Sequence, residues 1–489
     1  MGKCISFLIS TVMILSFPAF IFANSGPTYW EGRPSSQILS IDQNTSITVE
    51  KEDLIFDFSV NDDPETRDLY GEGYTLGGKV TASYQMQNPT TQPLTVQMAF
   101  PFVGPLYGLA AQDILITADG EALPYETFVG DTLQGFGRTS REDRESSSFD
   151  FAKIVNSITN ETYKAENFEK DEIGKLYSIT VSPKSEQVIN YAIDFQFDPE
   201  KTKIITRGFD RFERDDNKIR NAAWCDRPVT LEVFVLGEDI SFKEEAFTDG
   251  ALSEKTDLYT AITATQEIGF KDYLMEYLKE IVESESSDHM DHYSTLLTET
   301  QVYNVYAKII DRYFTQNKGY CPDPGLMGDG GFDRIITLVY IIEFPPGSTK
   351  NVSVSYKTFG TMDMRETSKP MYTFDYILNP ADNWSGFKNF NVEIVPSRVA
   401  PYIVKSSIEF HREEGDIYTA SLETLPQEDL SFTLYENERI TLKDKATGIL
   451  YRSFGYLHPL VVGVIAVIIG LILGVAVYKR FRNNLIGKS

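Results

Sequence analysis

Between residues 46 and 262 apolar and polar positions alternate over short runs, the period of half-buried strands. Leu94 to Phe100 (LTVQMAF) alternates along one face, and so does KVTASYQMQN before it, with Asn88-Pro89 punctuating between them. In ILITADGEALPYETF, Asp119-Gly120 between extended runs predicts a tight hairpin. Residues 128 to 172 are polar and acidic without a strong period, which predicts a long excursion holding at most a short helix.

A pattern at Leu176 (LYSITVSPKSEQVINYAIDF) returns at Leu338 (LVYIIEFPPGSTKNVSVSYKTF). Each is an alternating strand, a turn with Pro and Ser (Pro183 and Ser185; Pro346 and Ser348), and a second strand that contains Tyr191 or Tyr356. Two hairpins of one design suggest two related sandwich units. Between them the period changes: Phe270, Leu274, Tyr277, Leu278 and Ile281 share one helical face, as do Val302, Tyr306, Ile309 and Tyr313. Thr298 and Gln301 form a capping-box signature and Gly319 a stop. From 333 to about 440 short strands return, with Glu414-Gly415-Asp416 and Pro426-Gln427 as turns. The expected fold is mainly β: a β-rich domain over 46–262, a helical hairpin inserted at 263–320, and a membrane-proximal β-sandwich at 321–445.

The two ends set the compartment. Met1-Gly2 with Ser6 matches a loose lipidation pattern, but Lys3, the apolar run Ile5 to Phe22 and Ala23 form a secretory signal, assigned to 1–23. Residues 24–45 read as an irregular lead-in. Pro459 to Tyr478 is uncharged over twenty residues, enough to cross a hydrocarbon core of roughly 30 Å, and predicts a single transmembrane helix over 458–478. Lys479, Arg480, Arg482 and Lys488 place 479–489 in the cytoplasm and the large N-terminal part outside the cell membrane. Ala466, Gly470 and Gly474 lie four apart, a spacing that permits a homodimer through the span.

All 71 acidic residues but only 40 of the 45 basic ones lie between signal and span, which leaves the exterior part at −31. That charge argues against nucleic acid and anionic membrane surfaces as partners, and leaves a protein or a glycan. Outside the cell, Cys225 and Cys321 are a candidate disulfide pair. The densest set of metal-ligand types is around Asp288, His289 and His292, the spacing considered for zinc, although no H-E-x-x-H occurs and a solvated linker is the commoner state of such a stretch. Asp323, Asp329 and Asp333 in the Gly-rich segment CPDPGLMGDGGFD are candidate calcium ligands, without the EF-hand spacing. Tyr29-Trp30 and Trp384 are either core or stacking platforms for sugars and peptides. No nucleophile motif, P-loop or dinucleotide fingerprint is present, and no catalytic or cofactor-binding residue is assigned.

Two stretches carry a resemblance. VTASYQMQNPTTQPLTVQMAFPF, with Tyr84, Asn88 and Phe100-Pro101, and FDYILNPADNW, with Phe374, Tyr376, Leu378, Ala381 and Trp384, resemble bacterial exported, membrane-anchored proteins with uncharacterised ectodomains. The first stretch is also distantly similar to the vault inter-alpha-trypsin domain, although the D-x-S-x-S metal motif that follows it in that family is missing. The expectation is a single-pass, membrane-anchored, extracytoplasmic protein with a binding or scaffolding ectodomain. The alternative is an exported hydrolase, metal-dependent or using paired carboxylates.

Overall fold

The computed structural model describes residues 27–42, 45–62, 74–106, 114–133, 151–284, 296–322, 332–367, 369–378, 384–454 and 458–486. The chain is mainly β, with its described strands in five sheets. Asp119-Gly120 forms the predicted tight turn, both residues at positive φ (51° and 85°), between Leu115–Ala118 and Glu121–Ala122.

The outer unit is a sandwich. One layer is an eight-stranded sheet containing Thr48–Asp57, Gly77–Gln87 and Thr349–Phe359; a six-stranded sheet and a central four-stranded sheet together form the opposite layer. Phe56, Val80 and Val354 from the first meet Phe374 and Phe432 from the second and Phe100 and Leu338 from the third in one buried cluster. The lead-in is part of this body. Tyr29–Trp30 pairs with Thr361–Asp363, Ser35–Ser36 with Met371–Ile377, and Leu39–Ser40 with Leu94–Gly104, which stitches the two sheets of the second layer together. Two-residue strands are too short for a period, so sequence reading sees an irregular segment.

The inserted unit has a five-stranded sheet and a distal four-stranded sheet, with Ile179, Ile193, Ile219 and Val233 buried between them. The other face of the five-stranded sheet, with Ile205, Phe234 and Leu236, packs on helices α2 (Phe270–Ser284) and α3 (Glu299–Gln316), and Leu106 and Val129 of the outer unit join the same cluster. Helix α1 (Phe151–Ser157) covers the central sheet through Ile154. Thr298 caps α3, accepting from the Gln301 backbone N–H at 3.2 Å, while the Gln301 amide reaches Thr159 O at 3.0 Å instead of closing the box.

The domain order differs from expectation. Leu94–Gly104 and Glu126–Thr132 both pair antiparallel with Arg334–Phe344, and Thr48–Asp57 pairs in parallel with Phe390–Val395. Residues on either side of the expected 262/321 boundaries therefore share one sandwich. The second unit is inserted into it, leaving at Leu133 and returning at Asp333, whose carbonyl accepts the Leu133 N–H at 2.7 Å. The two look-alike motifs are not hairpins. Ile173–Pro183 lies in the five-stranded sheet and Ile189–Gln196 in the distal one; Arg334–Phe344 lies in the central sheet and Thr349–Phe359 in the eight-stranded one. Each is an arch that crosses between layers so that both strands turn an apolar face inward. A strand-Pro-strand pattern is the same for either connection.

Two helices end the described chain: α4 (Leu442–Phe454) and α5 (His458–Ile486), 29 residues long. Side-chain exposure is described for 461–475 of α5, and within the residues so described no stretch is long and apolar enough to cross a membrane.

Candidate functional site

Most of the residues singled out by type fall elsewhere or outside the described chain. Asp288, His289, His292, Asp323 and Asp329 lie outside the described residues. Asp333, the remaining calcium candidate, is buried and accepts a 3.0 Å ion-paired hydrogen bond from Arg33 Nε. Among the described residues no three His, Cys, Asp or Glu side chains converge as a metal site. Cys225 and Cys321 are both buried and do not bridge to each other. Strand alternation separates them: Cys225 faces the core between the two sheets of the inserted unit, whereas Cys321 faces the helices on the far side of the five-stranded sheet. Burial pushes the Cys225 thiol up to about 11. Tyr29, Trp30 and Trp384 are core residues.

The site that the fold builds instead lies in the inserted unit. Helix α3 stops with Lys318 and Gly319 at positive φ (44° and 77°), and the Gly319 N–H donates to Phe314 O at 2.8 Å. This turn swings Tyr320–Pro322 alongside Thr202–Arg207 as a parallel edge strand. Alternation then sends Tyr320 between the sheets. Opposite, on Lys218–Cys225, Ile219, Ala223 and Cys225 are the inward apolar positions, and Asn221 occupies the same register with no exposed surface.

A cavity of about 280 Å³ opens there, between the edge strands of the two sheets, lined by Thr206, Phe209, Phe212, Asn221, Tyr320 and Pro322. Asp210 and Arg211 stand at its rim, exposed. Phe212 is 44% exposed and meets Tyr320 edge-on, ring centroids 5.2 Å apart. The polar floor has a fixed sense. Tyr320 donates its hydroxyl hydrogen to Asn221 Oδ1 at 2.8 Å, so in the 2.7 Å contact between the Thr206 and Tyr320 hydroxyls Thr206 is the donor. Burial pushes the Tyr320 phenol well above its ordinary range, so this chain stays neutral. What remains is Asn221 Nδ2: buried, without a protein partner, and carried by a residue that lines the cavity. A buried donor left in that state costs about 1–3 kcal/mol.

A larger depression of about 750 Å³ lies on the solvent face of the distal sheet. It is an open surface of mixed charge, part of it paired within the fold: Arg220 forms two bonds to Asp194 at 2.7 and 3.0 Å, Lys243 lies 2.8 Å from Glu245, and Arg214 donates to Asp216 O at 2.7 Å.

The outer unit holds a second inward polar group. A β-bulge between Val49 and Lys51 shifts the alternation of Thr48–Asp57, so that Glu52, not Lys51 or Asp53, points inward with Leu54 and Phe56. Its carboxylate has no exposed surface. Gln37 Nε2 donates to Oε2, and Tyr376 OH donates to Oε1 at 3.1 Å, with Tyr84 OH behind it at 3.1 Å from Tyr376 OH. Burial raises the Glu52 carboxyl to about 8 against the pull of these bonds, so at neutral pH the acid is mainly protonated. The group joins three parts of the sandwich and reaches no described cavity.

Sequence reading by residue type and cluster missed both Asn221 and Glu52. The signal for Asn221 is present in the chain: a polar residue in phase with Ile219, Ala223 and Cys225. No family model matches the chain. No curated protein matches it. Among solved structures, a crystal structure from Legionella pneumophila subsp. pneumophila str. Philadelphia 1, provisionally described as a nutrient binding protein, aligns over 83% of this chain and 72% of its own at 11% identity and a TM-score of 0.32, a likeness too slight to carry an argument about ligand or fold.

Proposed function

We propose that this chain is a membrane-tethered, extracytoplasmic protein whose β-rich body binds a small ligand in the cavity floored by Asn221. The single observation that carries the binding reading is the Asn221 amide. Folding buries it beside an opening between two sheet edges and gives its Nδ2 no acceptor within the protein.

The tether is supported by the side chains of α5. Val462, Val464, Ile465, Ile468, Ile469, Leu471, Ile472, Leu473 and Val475 are each 40–63% exposed and point around just over half of the helix, while the opposite strip carries Ala466, Gly470 and Gly474. A helix apolar all round, uncovered by its own chain and followed by Lys479 and Arg480, fits a hydrocarbon solvent with a cytoplasmic tail. The small-residue strip is where two such helices would approach.

Fractionation tests the tether. The full chain is expected to stay with membranes after alkaline carbonate washing, its body open to protease on intact cells and a C-terminal tag protected; release into the soluble fraction overturns it. For binding, a panel of small metabolites is expected to contain at least one that raises the unfolding midpoint of the purified protein but not of Phe212→Ala. A midpoint indifferent to the whole panel overturns the site.

A further inference from the structure

Resting on that reading of the cavity, we infer that its ligand is a neutral sugar ring, either free or as one residue of a glycan that leaves through the open sheet edge. The volume is the first constraint. At about 280 Å³ the cavity lies just under the roughly 300–1,000 Å³ of sites for drug-sized molecules, so a single small ring fills it.

The floor is the second. Because the Thr206, Tyr320 and Asn221 groups hand their hydrogen bonds along in one direction, the run starts at a Thr206 oxygen that can still accept and ends at Asn221 Nδ2, whose two N–H bonds have no protein acceptor. The buried end of the ligand must therefore present acceptor oxygens. The walls are Phe209, Phe212 and Pro322, flat apolar surfaces suited to the C–H face of a ring. At the rim, Asp210 Oδ2 is held by the Trp224 backbone N–H at 2.5 Å, which fixes a carboxylate able to accept from hydroxyls, and the neighbouring Arg211 supplies donors. Hydroxyls both donate and accept, and so match a rim of mixed sign over a floor that holds an unanswered donor beside a hydroxyl acceptor. A free amino acid also matches the rim through its two charged ends. That pose, however, turns a side chain toward the Asn221 amide and leaves the buried donor unanswered for most side chains. Charge supplies the last restriction: the exterior part carries −31, which disfavours anionic sugars and phosphorylated ligands.

The test uses the full chain in detergent micelles. Neutral hexoses, their N-acetylated forms and matched free amino acids are titrated while saturation-transfer NMR and Trp224 fluorescence are recorded; Trp224 is 45% exposed beside Asp210, whereas Trp30 and Trp384 are buried in the outer unit. The expected result is saturable binding of one or more neutral sugars, weakened about tenfold by Phe212→Ala, the loss of one stacking surface. Asn221→Ala is expected to weaken it at least as much. Should Asn221→Ala fail to fold, Phe212→Ala, an exposed lip residue, decides alone. Saturable binding of amino acids with no sugar bound overturns the carbohydrate inference but keeps the binding site. Binding of neither class, or sugar binding equal in wild type and Phe212→Ala, overturns the inference together with the cavity reading.

Discussion

Replacing Glu52 by Gln probes the buried acid of the outer unit. Glu52 has a folded value of about 8 against 4.5 for the free group, and the cause is desolvation, which outweighs the bonds from Tyr376, Tyr84 and Gln37. A raised value means that the folded state holds the proton more tightly than the unfolded chain. The resulting stability is complete below pH 4.5 and is lost as pH rises toward 8, at about 1.4 kcal/mol per pH unit. Over the whole window this sums to on the order of 5 kcal/mol, and to roughly 3–4 kcal/mol between about pH 5 and pH 8. Glu52→Gln fixes the neutral state without changing shape. The amide also retains an acceptor for Tyr376, and its N–H₂ can reach Gln37 Oε1, which is buried without a partner.

The assay is urea unfolding of both proteins across that pH range, read as the difference between them so that carboxylates common to both cancel. Glu52→Gln is expected to gain on wild type steadily as pH rises. Infrared spectra offer an independent readout: wild type at neutral pH is expected to show a protonated carboxylic C=O stretch that the variant lacks. A difference in stability that stays constant from about pH 5 to pH 8 would falsify the claim that this acid is neutral in the fold.

Three further outcomes can be checked. Asp311, 4% exposed, pins the loop before the five-stranded sheet by accepting from Tyr163 OH, from the Glu166 and Asn167 N–H groups and from Asn167 Nδ2 at 2.7–3.0 Å. Burial alone would raise its carboxyl, but these bonds hold it below the usual range, so its stability is present at neutral pH and is lost on acidification below about 4; Asp311→Asn should lower stability by about 2–4 kcal/mol at pH 7 in thermal unfolding, and less in acid. Gly319→Ala places a Cβ 3.0 Å from Thr202 O at a φ of 77°, and should cost about 1–2 kcal/mol in urea unfolding, with weaker ligand binding because Tyr320 is carried by that turn. Ile468→Arg in α5 should shift the chain out of the washed-membrane fraction, since a central arginine opposes insertion by about 2.5–3.5 kcal/mol.

How far the sequence could be read depended on how local each feature is. The helices and their ends were legible because capping at Thr298 and termination at Gly319 are decided within one turn of chain. Strands were legible as strands, and the mainly β class with them. Their partners were not. Asp333 meets Leu133 across an insertion of nearly two hundred residues, and no period within either segment encodes that pairing. The register of Glu52 was hidden differently: in VEKEDLIF uninterrupted alternation from Val49 sends Lys51 and Asp53 inward, and only the bulge substitutes Glu52. Asn221 needed no such device. The strand KIRNAAWC carries it in plain inward phase, and a search by clusters of His and Asp passes over a lone amide.

Two polar groups in inward register call for different explanations, and the difference can be measured. Both oxygens of Glu52 are engaged by protein donors, whereas Asn221 is answered on one atom and open on the other. If Asn221 is kept for a ligand, the unliganded fold is less stable than an apolar version of the same floor. The triple variant Thr206→Val, Tyr320→Phe, Asn221→Leu removes each hydroxyl or amide together with its partner and keeps the branching of each side chain. Removing both ends of a buried hydrogen bond is close to neutral, and relieving the orphan donor is favourable, so the variant is expected to match or exceed wild-type stability by about 1 kcal/mol while losing ligand binding. A loss of more than about 2 kcal/mol in the same unfolding assay would mean that the Thr206–Tyr320–Asn221 chain holds the two sheets together, and that its open amide is a by-product of structure and not a site.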